Sequence, residues 1–137
     1  MRRFEVNAIG RVASSLTDLG SAPRQPDEGA PEAALVFEPE ALEGLKGLKH
    51  GDEVLVLTWL DEARRDLLSV HPRGDIARAE EGVFATRSPH RPNPIGLHRV
   101  RITAIEGPLV HVDHLEALDQ TPIIDLKPVL TEDIDRR

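Results

Sequence analysis

The sequence LHRVRITAIEGPLVHVD, from Leu97 to Asp113, contains the pattern that decides the fold class. Up to Ile105 the residues alternate between apolar and polar, as in a half-buried β-strand. The alternating residues are Val100, Ile102 and Ala104 on one face and Arg99, Arg101 and Thr103 on the other. The turn Glu106-Gly107-Pro108 then leads into a second alternating stretch from Leu109 to Asp113. The pattern predicts a β-hairpin.

Two further stretches read as strands on either side of a long loop. Phe4, Val6, Ala8 and Val12 recur with a period of two and predict a first strand. After the loop from Ser14 to Pro31, the short apolar stretch 34–37 predicts a second strand. Such long loops are often functional.

The segment from residue 39 onward predicts one helix and one more strand. Pro39 suits a first helical turn, and Leu42, Leu45 and Leu48 follow at near-helical spacing before glycines end the pattern. Val54 to Leu60 is continuous and apolar apart from one threonine, which predicts a central strand buried on both faces.

Length and composition indicate the fold class. The chain has 137 residues, with ten glycines, eleven prolines and only 3% aromatic residues. Short strands, many turn residues and one weak helix favour an all-β fold, a compact β-barrel with at most one or two short helices. We expect a single domain over residues 1–137.

The charges are unevenly distributed. The formal net charge is −7, which argues against broad, unspecific nucleic-acid binding. Residues 83–103, however, contain no carboxylate and four arginines, namely Arg87, Arg91, Arg99 and Arg101. This stretch is either a local basic site or a strand that exposes its arginines to solvent.

Several kinds of site are excluded or disfavoured. The chain has no cysteine, and no two glycines are separated by a single residue, so the G-x-G core of a dinucleotide-binding loop is missing. His111 and His114 would point to opposite faces of a strand, and we predict no metal site. The N-terminus lacks an apolar signal segment and no apolar run is long enough to span a membrane, so we expect a cytoplasmic protein.

The densest stretch is ATRSPHRPNPIGL, residues 85–97. Its three prolines restrict the backbone, so the loop loses little entropy when it holds a ligand. Arg87, Arg91 and Asn93, with the hydroxyls of Thr86 and Ser88, offer donors for a carboxylate, a phosphate or an adenine edge. Alternatively, this is a rigid crossover whose arginines pair with surplus carboxylates.

Two other stretches carry polar residues in an ordered context. LDQTPIIDLKP, residues 118–128, places Asp119, Asp125 and Lys127 between apolar positions, as in a barrel strand with a ligand-facing side. The long loop contains Pro23-Arg24-Gln25-Pro26.

Taken in this order, the three stretches resemble the TsaA/TrmO-like family. Its members contain P-R-Q, then G-V-F-A-T-R-S-P-x-R-P-N-P-I-G-L, then L-D-G-T-P-x-x-D-I-K-P, which match here Pro23 to Gln25, Gly82 to Leu97 and Leu118 to Pro128. The resemblance implies an all-β barrel that acts as a homodimer, with S-adenosylmethionine near the subunit interface. It also implies N6-methylation of a threonylcarbamoyl-adenosine beside the tRNA anticodon.

The resemblance also implies site residues. The cofactor contacts carried over are Pro23, Arg24, Gln25, Leu60, Asp61, Arg87 and Leu97. Arg91, Asn93 and Lys127 are candidates for substrate binding, and Asp119 and Asp125 for accepting the proton of the exocyclic amine. Each aspartate has an alternative interpretation, since it would also suit a turn or an ion pair with Lys127.

The chain departs from the family pattern in three places. Asp61 stands where the family often has histidine, so a carboxylate replaces a neutral or positive contact. Gln120 replaces a glycine, and we expect its turn to avoid a positive φ. The sequence stops at Arg137, and we expect the family's C-terminal accessory domain to be absent. Two rival functions remain, a methyltransferase with a smaller acceptor and a barrel that binds S-adenosylmethionine without catalysis.

Overall fold

A computed structural model describes residues 1–15 and 32–130. Eight strands run in chain order: β1 (Gly10–Ala13), β2 (Ala33–Phe37), β3 (Glu53–Trp59), β4 (Ser69–Val70), β5 (Glu81–Gly82), β6 (Ile95–Glu106), β7 (Leu109–Val112) and β8 (Pro122–Pro128). Six of them form a closed antiparallel barrel in the order β1-β2-β7-β6-β3-β8, and β4 pairs with β5 in a separate two-stranded sheet. The predicted all-β barrel is confirmed.

Helical structure is confined to short 3-10 segments in the described residues. One of seven residues, Pro39–Leu45, lies where the sequence predicted a helix, and Pro39 occupies its first turn. The other two, Pro72–Gly74 and Val83–Ala85, are three residues long. No helix in residues 1–15 or 32–130 has the length and apolar character required to cross a bilayer.

The hairpin of β6 and β7 follows the predicted alternation as far as Ile102. Val100 and Ile102 are buried, whereas Arg99 and Arg101 are exposed. The strand pairing shifts by a residue between Ile102 and Ala104, so Ala104 lies opposite His111 and Ile105 lies opposite the buried Val110 and packs against the core. The prediction that Ala104 shares the inner face of Val100 and Ile102 is therefore wrong. Gly107 makes the turn with a φ of 60°.

The core fills the inside of the barrel with branched aliphatic side chains. Its largest fully buried members are Val12, Leu35, Val54, Val56, Ile102, Val110, Val112, Leu115 and Ile123. They come from every barrel strand, so the inward faces pack into one continuous core. Burial of each such side chain stabilises the fold by about 1.5–3 kcal/mol before entropy is subtracted.

Two sequence predictions about strands need correction. The first strand begins at Gly10 instead of Phe4, and Phe4 and Val6 are exposed. Alternation alone does not make a strand: Ile9 is the first residue of this segment to exchange backbone hydrogen bonds with the barrel. β3 is paired on both sides but is fully buried on one face only, because Leu55, Leu57 and Trp59 on its outer face are half-buried.

Candidate active site at the barrel rim

Four of the six barrel strands end or begin at the part of one barrel end that we call the rim. β1 ends there at Ala13, β3 ends at Trp59, β6 begins at Ile95 and β8 begins at Pro122. The pairings of Trp59 with Ile95, of Thr58 with Ile123 and of Arg11 with Pro122 place these strand ends at the same end of the barrel. β1 precedes the segment that the sequence predicts to be a long loop. Pro23, Arg24 and Gln25 lie in this loop, outside the described residues.

The loop after β3, residues 60–66, is joined to the proline-rich loop, residues 86–94, at the rim. The Leu60 amide donates to the Pro94 carbonyl (2.8 Å), and the Arg91 amide donates to the Arg64 carbonyl (3.0 Å). The Arg64 amide donates to Nδ1 of His90 (3.0 Å). The tertiary fold thus brings Leu60 and Asp61 beside the loop that carries Arg87, although these residues are distant in sequence.

Arg91 shapes the proline-rich loop from within. Its Nη2 donates to the carbonyls of Val83 and Thr86, the latter at 2.7 Å. The hydroxyl of Thr86 also donates to the Val83 carbonyl (3.0 Å), and Ser88 exchanges hydrogen bonds with the His90 backbone. Three groups that the sequence offered as ligand donors are therefore engaged in holding the loop.

Arg87, in contrast, is exposed and makes no hydrogen bond or ion pair with the described residues. Asn93 is also exposed, and only its Oδ1 is used, as an acceptor from Arg65 Nη2 (3.3 Å). Leu97 lies on the outer face of β6 with 46% of its surface exposed. These residues leave a guanidinium, an amide NH2 group and an apolar side chain available to a ligand.

Inside the barrel, next to the rim, Thr58 and His98 pack against Gly96, which has no side chain. Thr58 is fully buried, and its Oγ1 lies 2.9 Å from Nε2 of His98. Gly96 faces this pair, and a Cβ there would lie 2.4 Å from Thr58 Oγ1. Burial lowers the pKa of His98 to about 4, so the imidazole is neutral at physiological pH. No local pattern in the sequence predicts this arrangement.

The candidate proton acceptors Asp119 and Asp125 occupy different positions. Asp119 lies at the rim and accepts a hydrogen bond from the Ser14 amide (2.9 Å), which holds the pKa of its carboxyl below the usual value. Asp125 lies on the outer face of β8 opposite Leu57, where Oδ2 pairs with Lys127 Nζ at 3.2 Å. The structure thus shows the turn-holding and ion-pairing contacts that the sequence left open as alternatives.

The turn before β8 differs from expectation. Gln120 adopts a positive φ of 72°, so the prediction that this turn avoids a positive φ is wrong. The turn is held by the Gln120 amide, which donates to the Val12 carbonyl (2.7 Å), and by the Thr121 amide, which donates to the Leu118 carbonyl (3.2 Å). These contacts override the local preference of a side chain for negative φ.

The rim residues lie on an open surface in the described part of the chain. One cleft of about 350 Å³ lies at the ends of β1 and β2 and is lined by Ser14, Glu32 and His111. A second, of about 230 Å³, separates the 3-10 helix from β8. Neither is lined by Arg87 or Leu97. Among residues 1–15 and 32–130, no group of three or more histidine or acidic side chains is arranged to hold a metal ion.

Comparison with known proteins agrees with the motifs. The chain is 49% identical to a probable S-adenosyl-L-methionine-binding protein of Methanocaldococcus jannaschii over 100 residues, 70% of this chain and 79% of the relative. A probable S-adenosyl-L-methionine-binding protein of Methanothermobacter thermautotrophicus is 40% identical over 132 residues, which cover 96% of this chain and 93% of the relative.

Solved structures agree as well. A crystal structure of TrmO from Pseudomonas aeruginosa is similar with a TM-score of 0.75 and 30% identity, and the match covers 94% of this chain and 57% of the TrmO chain. This chain therefore spans little more than half the length of that protein. The family model for the tRNA-methyltransferase O N-terminal domain matches residues 11–136. The chain belongs to the family of the tRNA-methyltransferase O N-terminal domain.

Proposed function

We propose that the protein is an S-adenosylmethionine-dependent methyltransferase that acts on tRNA, and that the acceptor is N6 of a threonylcarbamoyl-adenosine beside the anticodon. Family membership and the names of the relatives support the cofactor and the reaction class. The observation that carries the proposal is the junction of the two rim loops, where the Leu60 amide donates to the Pro94 carbonyl of the loop that also carries the unpaired Arg87.

The groups at the rim fit the chemistry of S-adenosylmethionine. Its carboxylate suits the exposed guanidinium of Arg87, and its adenine edge suits the free amide nitrogen of Asn93. Leu60 and Leu97 offer apolar surface for the adenine ring and the methionine chain. Pro23, Arg24 and Gln25 are proposed as further contacts of the cofactor. Bound there, the cofactor supplies the methyl group.

The protein's own part in the reaction is mainly positioning. In-line transfer requires the acceptor nitrogen to be held close to the methyl carbon, and prolines in the 86–94 loop reduce the entropy lost on ordering. Asn93, a substrate-binding candidate in the sequence, is assigned here to the cofactor. We propose that Arg91 supports the acceptor indirectly by holding the loop, and that Lys127 is a contact of the acceptor. The pKa of Asp119 is lowered, which makes it a weak base, so its contacts favour a structural role over proton acceptance.

We further propose that two copies associate through the outer face beside the rim. Leu57 and Trp59 are half-buried there, and Ile95 and Leu97 are 43% and 46% exposed on the adjacent strand. Contiguous apolar surface of this kind favours association. A second copy on this face would also cover the open rim. Sedimentation equilibrium of the parent and of Leu97→Glu tests this, since the charged variant is expected to be monomeric.

Calorimetric titration with S-adenosylhomocysteine tests the cofactor assignment without depending on turnover. Arg87→Ala is expected to weaken binding by about 1–3 kcal/mol, since a charged hydrogen bond is lost. Arg78→Ala is the matched control, because Arg78 is exposed and its side chain has no partner among the described residues. Equal affinity for Arg87→Ala and the parent would contradict the assignment.

Methyl transfer to tRNA separates the proposal from its two rivals. The enzyme is expected to label tRNA that carries threonylcarbamoyl-adenosine and to leave unmodified tRNA unlabelled. Labelling of a small adenine derivative but no tRNA would indicate the smaller acceptor. Binding of the cofactor product with no transfer to either would indicate a binding protein, as the names of the relatives describe them. Asp119→Asn and Asp125→Asn at the parent rate would exclude both as proton acceptors.

A further inference from the structure

We propose that Arg65 is a positioning residue that fastens the 60–66 loop to the 86–94 loop and thereby preorganises the cofactor site. The inference rests on the proposed function, since it concerns the same rim. No motif of the sequence analysis includes Arg65, which lies in the charged segment DEARRD. Such a segment is usually a solvated loop. In the structure its side chain is directed to specific partners.

Three contacts hold the Arg65 guanidinium. Its Nε donates to the Pro92 carbonyl at 2.7 Å, and its Nη2 donates to Asn93 Oδ1 at 3.3 Å. Its central carbon lies 5.1 Å from the centre of the Trp59 ring, at the end of β3. A planar guanidinium serves these partners together, since it stacks on the indole while its edge donates two hydrogen bonds.

The contacts of Arg65 connect the end of β3 to the two loops of the candidate site. Trp59 belongs to β3 and pairs with Ile95, so its backbone position is set by the sheet. Pro92 and Asn93 precede Pro94, whose carbonyl accepts from Leu60. Arg65 thus closes a ring of contacts that includes Leu60 and Asn93, which are proposed to contact the adenine of the cofactor.

The orientation of Asn93 follows from the same contact. Because Arg65 donates to Oδ1, the amide nitrogen of Asn93 faces away from Arg65 as a donor. An adenine edge presents acceptor nitrogens as well as the exocyclic amine, so a fixed donor selects one orientation of the ring. Loss of Arg65 would leave the Asn93 amide free to rotate.

Titration of the intact protein with S-adenosylhomocysteine tests the proposal. We expect Arg65→Ala to weaken affinity about tenfold with little change in Tm, because an exposed arginine adds little to global stability. Arg65→Lys keeps the charge but not the planar fork, and is expected to restore less than half of the lost binding free energy. Millimolar methylguanidinium is expected to restore part of the affinity of Arg65→Ala.

Trp59 provides a second readout, because it is the only tryptophan in the chain. Its emission is expected to change in Arg65→Ala but not in Arg78→Ala. Parent-like affinity of Arg65→Ala or of Arg65→Lys would overturn the proposal. An Arg65→Ala protein with a strongly reduced Tm and no rescue would overturn it also, in favour of a purely structural role. If the parent itself fails to bind, the proposed function fails first and independently.

Discussion

The beginning of β6, Ile95 to His98, and the stretch from Arg99 to Arg101 lie on one strand but are held in different ways. At the rim end, Gly96 packs so closely against Thr58 and His98 that there is no room for a Cβ. Further along, Arg99 and Arg101 are exposed and share Glu53, at 2.7 and 3.0 Å. The first region is fixed by close packing and a buried hydrogen bond, the second by ion pairs in contact with solvent.

The difference extends to the arginines of residues 83–103. Arg99 and Arg101 pair with a carboxylate, as in the solvent-exposed strand that the sequence left as one alternative. Arg91 binds backbone carbonyls, and Arg87 has no partner among the described residues. A guanidinium that satisfies carbonyls determines loop shape, whereas an exposed ion pair is screened by water and contributes little. Similar side chains in one stretch thus have unlike roles.

Gly96→Ala is expected to have the largest effect on stability. Its Cβ would lie 2.4 Å from Thr58 Oγ1 and 2.9 Å from His98 Nε2, so the buried pair would have to move. We expect a loss of about 3 kcal/mol in the free energy of unfolding, measured with urea. Gly44→Ala is the control, since a Cβ there meets nothing within 4 Å. A stable Gly96→Ala protein would show that the rim end is loosely packed.

Arg91→Ala is expected to cost about 2 kcal/mol, because two carbonyls inside the loop lose their donor. Arg91→Lys should recover part of this loss, since one ammonium reaches at most some of the same acceptors. Urea denaturation and limited proteolysis of the 86–94 loop measure the effect. If Arg91→Ala had the same urea midpoint as the parent, Arg91 would contribute no more to stability than Arg99 is expected to.

We expect the buried His98 to make the stability of the protein depend on pH. Burial lowers its pKa from 6.5 to about 4, so the unfolded chain takes up a proton in this interval and the folded chain does not. The free energy of unfolding should therefore fall by about 2 kcal/mol as the pH is lowered from about 7 to about 5. His98→Gln should remove this part of the slope. Equal slopes for both proteins would contradict the buried, neutral assignment.

Gln120→Gly is expected to stabilise the protein modestly. The left-handed backbone at Gln120, with φ of 72°, is strained for a side chain but not for glycine. The greater entropy of glycine in the unfolded chain offsets part of the gain, so about 0.5 kcal/mol should remain. Gln120→Ala keeps the strain and serves as the comparison. A lower Tm for the glycine variant would mean that the hydrogen bond from Gln120 Nε2 to Asp119 outweighs the strain.

Arg99→Ala should have the smallest effect. Its partner Glu53 has its pKa lowered chiefly by the hydrogen bond from Arg99, but both side chains are in contact with solvent. We expect Tm to change by less than about 2 °C. Added salt should reduce even this difference, because it screens exposed charges. A loss comparable to that of Arg91→Ala would abolish the distinction between the two regions.

Much of the barrel could be predicted from local patterns. The β6–β7 hairpin followed from alternation around Gly107, and the 3-10 helix followed from Pro39 and the spaced leucines, because these signals act over a few residues. The stretch from Phe4 to Ala8 had the same alternation but forms no strand, because a strand needs a partner and the barrel pairs this segment only from Ile9 onward. Pairing is a property of distant residues, which periodicity does not reveal.

The site was predictable in part for a similar reason. Motifs identified the proline-rich loop and Arg87, but nothing local distinguished Arg87 from Arg91. Arg65, Trp59 and His98 carried no motif signal, although a lone tryptophan at a strand end and a histidine in an apolar alternation were visible. Their roles depend on contacts with residues more than twenty-five positions away or across strands.

The sequence by itself determined the strand-rich class, the preorganised proline loop and the family, since backbone preferences and motif spacing are written in neighbouring residues. Only the tertiary structure decided which arginine stays available and which holds a loop, because that choice depends on the acceptors that barrel closure brings near. It also decided that Gly96 must lack a side chain, since Thr58 and His98 reach that space from other positions in the fold. Close packing and hydrogen bonding depend on the distances between residues in the folded chain, and these distances cannot be read from the order of the residues alone.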